Sequence, residues 1–315
     1  MKLPKLQIGL LQPKIPIIQG GMAVKLSTSR LAAAVADEGG IGVIAASGMT
    51  TWELRDEIRK ARSLSKGIIG VNIMFAVSVF SDLIKTAIEE KIDLIISGAG
   101  FSRDMFPLGK EANIPVVPIV STAKLAAISE KLGAAAVIVE GKEAGGHLGT
   151  EKSIREIVPM VKNSVKIPVI AAGGIVDGND VANAFELGAN GVQMGIRFAA
   201  SVEANGADSL KDVYIRARSE DIVLIDSPVG YPGRAIRNEF TEKISGGKTL
   251  PSAGCKQCLK YCARNFCIME SLKNAQKGDL KNGLIFSGQY IEKIREILSV
   301  KEIIRSLLQE VEAFT

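Results

Sequence analysis

Residues 169–198 read VIAAGGIVDGNDVANAFELGANGVQMGIRF, and this stretch decides the fold. Residues 169–172 are a short, continuously apolar run that ends in the pair Gly173-Gly174. Residues 177–187 read as a helix, stopped by Gly188. Residues 191–195 are a second apolar run, again closed by a glycine. Strand, helix and strand follow one another within 30 residues. Strands so short and so uniformly apolar suit a parallel sheet covered by helices.

The same alternation runs back toward the amino terminus. Strand-length apolar runs stand at 15–20, 41–46, 69–75, 94–99, 116–120 and 136–140. Helical segments lie between them at 30–37, 51–65, 79–91, 102–110 and 122–132. With 169–172 and 191–195 the runs number eight, the count that closes a barrel. An open doubly wound sheet stops near about six strands. The expected fold is therefore α/β, a (β/α)₈ TIM barrel with an insertion near the barrel mouth and a C-terminal helix. Residues 1–206 are read as the barrel core and 207–282 as the insertion, which contains four cysteines. Residues 283–315 are read as the closing helical segment. Helices are expected over 203–218 and 290–311, a strand over 222–225, and chain rich in Gly and Pro over 229–254.

Composition narrows the class. Apolar residues make up 47% and charged residues 23% of 315, enough for one large core. No run of about 20 apolar residues marks a membrane span, and the first residues lack a signal peptide's apolar stretch, so a cytoplasmic location is expected. The net charge of +5 is spread in mixed-sign runs such as 55–60, the pattern of solvated helix faces, with no nucleic-acid module.

Glycine follows four of the expected strand ends, where backbone must approach a ligand closely: Gly20 and Gly21 before Met22, Gly98, Gly173 with Gly174, and Gly195. The last two places follow strands seven and eight, where barrels commonly bind phosphate. Asn72 ends the third run, either as an amide for a ligand's ring or as a structural cap. Glu140 ends the sixth, either binding a ligand hydroxyl or facing solvent. His147 is the chain's one histidine and lies in the glycine-rich stretch Glu143-Ala144-Gly145-Gly146-His147-Leu148-Gly149. A histidine on such a loop suits acid, base or substrate-orienting work.

Cys255, Cys258, Cys262 and Cys267 have the spacing C-x₂-C-x₃-C-x₄-C. Four soft thiolates on one segment fit a [4Fe–4S] cluster or a Zn site, and free thiols or a transient disulfide is the other reading. Cys258 and Cys262, four apart, also suit one buried helix face.

Gln19-Gly20-Gly21-Met22, Val71-Asn72-Ile73-Met74, the loop 143–149, and residues 171–175 and 191–198 together resemble the nitronate monooxygenase family. That family includes the similar FMN-dependent enoyl-ACP reductase II enzymes. Pro232-Gly233-Arg234 and Phe286-Ser287-Gly288-Gln289 look like further landmarks of it. The resemblance implies FMN, its phosphate on Gly173, Gly174 and Gly195, with Gly21, Met22, Asn72 and Gly98 around the flavin ring. Gly20, Glu140, Gly145, Gly146 and Gln289 complete the expected cofactor residues, and His147 faces the substrate. Oxidation of alkyl nitronates by flavin and O₂ is the first activity it implies. Reduction of an enoyl thioester by NAD(P)H is the alternative, with an acyl carrier protein as partner. A homodimer is a further expectation of assembly; nucleic acid and membrane are not expected partners. Ile196 departs from the threonine common at its position, and residues 97–101 match the family's glycine-alanine-glycine pattern only in part.

Overall fold

The computed structural model describes residues 1–22, 24–98, 100–250 and 254–314. In chain order the strands are β1 (Ile17–Gln19), β2 (Ile41–Ala45), β3 (Ile68–Met74), β4 (Leu94–Gly98), β5 (Val116–Val120), β6 (Val137–Glu140), β7 (Gly146–His147), β8 (Val169–Ala172), β9 (Gly191–Met194), β10 (Ile222–Asp226) and β11 (Pro232–Ile236). Eight of them, β1 to β6 with β8 and β9, form a closed parallel barrel. Pairing of β1 with β9, Ile18 opposite Gln193, completes the ring. The helices are α1 (Ser29–Asp37), α2 (Thr51–Leu64), α3 (Phe80–Glu89), α4 (Met105–Glu111), α5 (Ala123–Lys131), α6 (Ile154–Lys162), α7 (Gly178–Glu186), α8 (Ile196–Ala199), α9 (Asp208–Arg216), α10 (Glu239–Ile244), α11 (Ile268–Lys277) and α12 (Val300–Ala313). The TIM barrel read from the sequence is the fold observed, with a helix at its C-terminal end.

Side-chain alternation explains why the strands are apolar on both faces. Ile18, Val43, Leu94, Ile96, Val117, Ile138 and Ile170 pack in one cluster inside the barrel. Their neighbours Ile17, Ile95, Val116, Val137 and Val169 join other clusters, made with the helices. A fully buried aliphatic side chain of this size contributes roughly 1.5–3 kcal/mol. Leu6 and Ile8 pack among Ile41 and Leu94, which start their strands, and so fill the amino end of the barrel. The carboxyl end is left for the site.

The larger differences from the sequence reading fall in the second half of the chain. The closing helix begins at Val300 instead of 290, because Ser299 and Glu302 form a capping box there. Ahead of it the carbonyl of Glu296 accepts from Arg197 at 2.9 Å, which holds that chain out of a continuous helix. The helix expected from 203 begins at Asp208, since Glu203 is drawn off to accept from Val300 N–H at 3.0 Å. Within the Gly- and Pro-rich residues 229–250 the structure places β11 and α10, to which the sequence reading assigned no element. Ala99, the end of the expected fourth strand, and residues 251–253 lie outside the described residues. Among the described residues no helix is long and apolar enough to cross a membrane.

Candidate active site

A cavity of about 250 Å³ opens at the carboxyl ends of the barrel strands. Its lining includes Gly20, Gly21, Met22, Asn72, Gly98 and Glu140. Gly145, Gly146, His147, Gly173, Gly174 and Gly195 line it too. Closure of the barrel thus gathers residues up to 175 positions apart, from Gly20 to Gly195, around one space. Gln289 is the exception among the expected residues: it is not part of the lining, and its N–H donates to the carbonyl of Glu143 at 3.0 Å.

The turn after β1 is fixed from below. Gln19 is fully buried, accepts from Val43 N–H at 3.0 Å and donates to Ser27 Oγ at 2.9 Å. Ser27 Oγ in turn accepts from Met22 N–H at 2.9 Å. Gly21 must be glycine, because a Cβ there would stand 2.5 Å from the Cβ of Asn72. Asn72 donates its amide to Gly21 O at 3.2 Å, leaving Oδ1 buried without a partner. Gln193 on β9 likewise leaves Oε1 buried and unpartnered, and it lines the same cavity. Two unpaired buried acceptors in one cavity call for a ligand that brings donors. At the β8 end Gly173 and Gly174 take φ of +99° and +71°, a conformation that turns the chain sharply at the cavity wall.

His147 is held by a second, smaller sheet. β7 pairs antiparallel with β11, Gly233 opposite His147, and β11 pairs with β10. Arg234 grips the loop before it, donating from Nε to Ala144 O at 3.0 Å and from Nη2 to Lys142 O at 2.6 Å. The imidazole stands edge-on to Phe286 at 5.3 Å, and its Nε2 lies 2.8 Å from Ser227 Oγ. Burial lowers the imidazole to about 4, so the ring is neutral at physiological pH. Burial has the opposite consequence for Glu140, whose carboxyl is pushed up to about 7. The site therefore pairs an uncharged imidazole with a carboxyl poised to hold or release a proton.

The far wall was not foreseen. α11 presents Ile268, Met269, Leu272, Ala275 and Gln276, one helical face, and α9 presents Leu210 and Tyr214. Leu284, Ile285 and Phe286 complete an apolar surface. Gln193 had a signal, a lone amide in an apolar strand; the α9 and α11 residues had none beyond ordinary amphipathic spacing.

The metal-centre reading of the cysteines finds no support among the described residues. Among the described residues no three or more Cys, His, Asp or Glu side chains converge to hold a metal ion. Cys255 and Cys262 are exposed, Cys258 and Cys267 half-buried, and all four are free thiols. Their segment lies against the chain after β3: Ser78 N–H donates to Cys258 O at 3.0 Å and Lys260 N–H to Ala76 O at 2.8 Å. Leu259 bridges Val77 and is buried, and Cys258 packs against the same core cluster. Burial raises the Cys258 thiol, and the other three cysteines lie near enough to help raise it. Helical placement of Cys258 and Cys262 on one face is excluded by the same geometry.

The nitronate monooxygenase family model matches residues 5–310, nearly the whole chain. The chain belongs to the nitronate monooxygenase family. Members of this family are oxidoreductases, and the chain is an enzyme of that kind. A "Probable nitronate monooxygenase" of Staphylococcus aureus strain JH9 is 33% identical over 281 residues, 75% of this chain and 79% of that protein. A Rhodococcus jostii relative, named (3aS,4S,5R,7aS)-5-hydroxy-7a-methyl-1-oxo-octahydro-1H-indene-4-carboxyl-CoA dehydrogenase, is 32% identical over 270 residues, 85% of this chain and 74% of that one. Among solved structures, FabK from Thermotoga maritima is 37% identical with a TM-score of 0.86, covering 96% of this chain and 94% of its own.

Proposed function

We propose that the chain is an FMN-dependent oxidoreductase that uses NAD(P)H to reduce the double bond of an enoyl thioester. The observation that carries this reading is one cavity with two contrasting halves. The strand ends give glycine backbone and unpartnered amide oxygens, while α9 and α11 give an extended apolar wall. The first half fits FMN. Gly173, Gly174 and Gly195 would hold its phosphate, and Asn72 Oδ1 and Gln193 Oε1 would accept from ring N–H groups. Glu140 would meet a ribityl hydroxyl. When bound, FMN supplies hydride transfer in both directions.

The protein's own part is to bind, orient and exclude water. Leu210, Ile268, Leu272 and Ile285 offer an acyl chain a dry surface. His147, neutral, presents an N–H to the substrate oxygen, where it would polarise a thioester carbonyl. The likeness to FabK, an enoyl-ACP reductase II, and to a relative named for a CoA ester supports this substrate class. An acyl carrier protein is the carrier this reading suggests, and a net charge of +5 suits an acidic partner. Residues 207–282, in the same proposal, are an insertion that roofs the cavity.

Oxidation of alkyl nitronates is the second reading, favoured by the Staphylococcus aureus relatives' name. It uses the same flavin half and His147, but leaves the apolar wall of α9 and α11 without a task. The test compares NADH- or NADPH-dependent reduction of crotonyl-CoA with O₂-dependent oxidation of propyl-2-nitronate on one preparation. A kcat/KM at least about tenfold higher for crotonyl-CoA supports the reductase. The reverse ratio establishes the nitronate reading in its place.

A further inference from the structure

Ser227, just past β10, is 4% exposed, and no sequence pattern draws notice to it. Its backbone is fixed on both sides. Asn265 Nδ2 donates to Asp226 O at 2.7 Å, Ala263 N–H to Pro228 O at 2.9 Å, and Gly230 N–H to Ser227 O at 3.0 Å. Ala263 and Asn265, just after Cys262, thus brace the residue that, among the described residues, hydrogen-bonds the imidazole.

The direction of that bond follows from counting donors. Ser227 Oγ receives the N–H of Val229 at 3.4 Å. A buried hydroxyl hydrogen left without an acceptor is costly. Among the described residues, the acceptor within reach of this hydroxyl is His147 Nε2, 2.8 Å away. Ser227 therefore donates and Nε2 accepts, which puts the imidazole's proton on Nδ1. Nδ1 has no protein partner among the described residues, and His147 lines the cavity.

We propose that Ser227 is a positioning residue that locks His147 in the Nδ1–H tautomer, so that His147 offers the substrate a hydrogen-bond donor and not a base. The proposal rests on the reading of His147 as the substrate-facing group. The charged residues on the elements packed around the ring are Glu140 on β6, Lys142 and Glu143 in its own loop, Asp226 on β10 and Arg234 on β11. None of them bonds to it. Glu143 Oε2 accepts from Ile154 N–H at 3.2 Å, and Arg234 is engaged by the carbonyls of Ala144 and Lys142.

Because His147 is the only histidine, the test is unusually direct. Protein labelled with ¹⁵N in the histidine ring gives a single pair of ring-nitrogen resonances. Between about pH 6 and 8 the wild type is expected to show a protonated Nδ1 and an unprotonated Nε2. Ser227→Ala should move the ring toward the Nε2–H form. It should also lower kcat for crotonyl-CoA reduction by on the order of tenfold at unchanged FMN content, with KM little changed. Its acid limb of the pH–rate profile should move to higher pH, because the bond lost had favoured the neutral ring. Ser227→Thr, which keeps the hydroxyl, should restore tautomer and rate. An Nε2–H signal in the wild type overturns the proposal even if the alanine variant fails to fold. So does a Ser227→Ala spectrum identical to the wild type. Absence of flavin or of turnover would instead count against the proposed function and leave the tautomer measurement to be decided on its own.

Discussion

At His147 and Glu140 burial acts on two titratable groups in opposite senses. The imidazole is lowered to about 4, and the unfolded chain would protonate it from near 6.5 downward. Its contribution to stability is therefore intact above about 6.5 and is lost as pH falls toward 4. The Glu140 carboxyl is raised to about 7 from an ordinary 4.5, so its contribution is full at low pH and is lost as pH rises between those values. Glu140→Gln should leave the flavin-free protein more stable than wild type at pH 8, by up to on the order of 3 kcal/mol, and unchanged near pH 4. Urea midpoints at the two pH values check this; equal midpoints at pH 8 would mean the carboxyl is not desolvated. His147→Gln should keep FMN while lowering turnover by about 10²- to 10⁴-fold. Measured flavin content and kcat separate the two, and an unaltered kcat removes His147 from the chemistry. His147 itself was legible as a lone histidine on a glycine-rich loop. Its partner Ser227 was not, because 80 residues separate them and only the pairing of β7 with β11 brings them together.

The elements were legible in proportion to how completely they are buried. Each barrel strand is covered inside and out, so its sequence is a bare apolar run such as Val169 to Ala172. The start of α12 was not legible, since residues 290–299 carry the same amphipathic spacing as the helix after them. Only the cap at Ser299 and the hold of Arg197 on Glu296 decide the boundary. Ser299→Ala should cost about 1 kcal/mol, read from the thermal or urea transition. The wall of the cavity was illegible for a related reason. The face of α11 that carries Ile268 and Leu272 has the pattern of any core-facing helix, and nothing local says that it borders an open space. Leu272→Trp should fill that space, raising KM for a long-chain enoyl-CoA by about tenfold or more while leaving crotonyl-CoA nearly unaffected. Equal effects on both chain lengths would place the acyl group elsewhere. In the cysteine segment, Cys255 and Cys262 should react with a thiol reagent within the mixing time, and Cys258 more slowly, because burial raises its thiol. Release of a metal ion on thiol modification would establish the metal-centre reading of the four thiols in place of free cysteines.

The whole molecule divides its labour between two ends and a roof. Leu6 and Ile8 fill the amino end of the barrel, so the strands open only at their carboxyl ends. There Gly20, Asn72, Gly98, Glu140, Gly173 and Gly195 meet. The small sheet of β7, β10 and β11 hangs His147 over the same space, and α9 and α11 close it with apolar side chains. We propose that this space holds FMN and that NAD(P)H reduces it for delivery to an enoyl thioester. Anaerobic absorbance titration of the purified protein tests it most directly. The expected result is a flavin spectrum that NADH or NADPH bleaches and that added crotonyl-CoA restores. A colourless protein that takes up no FMN, or a flavin that neither nucleotide reduces while propyl-2-nitronate does, would contradict it.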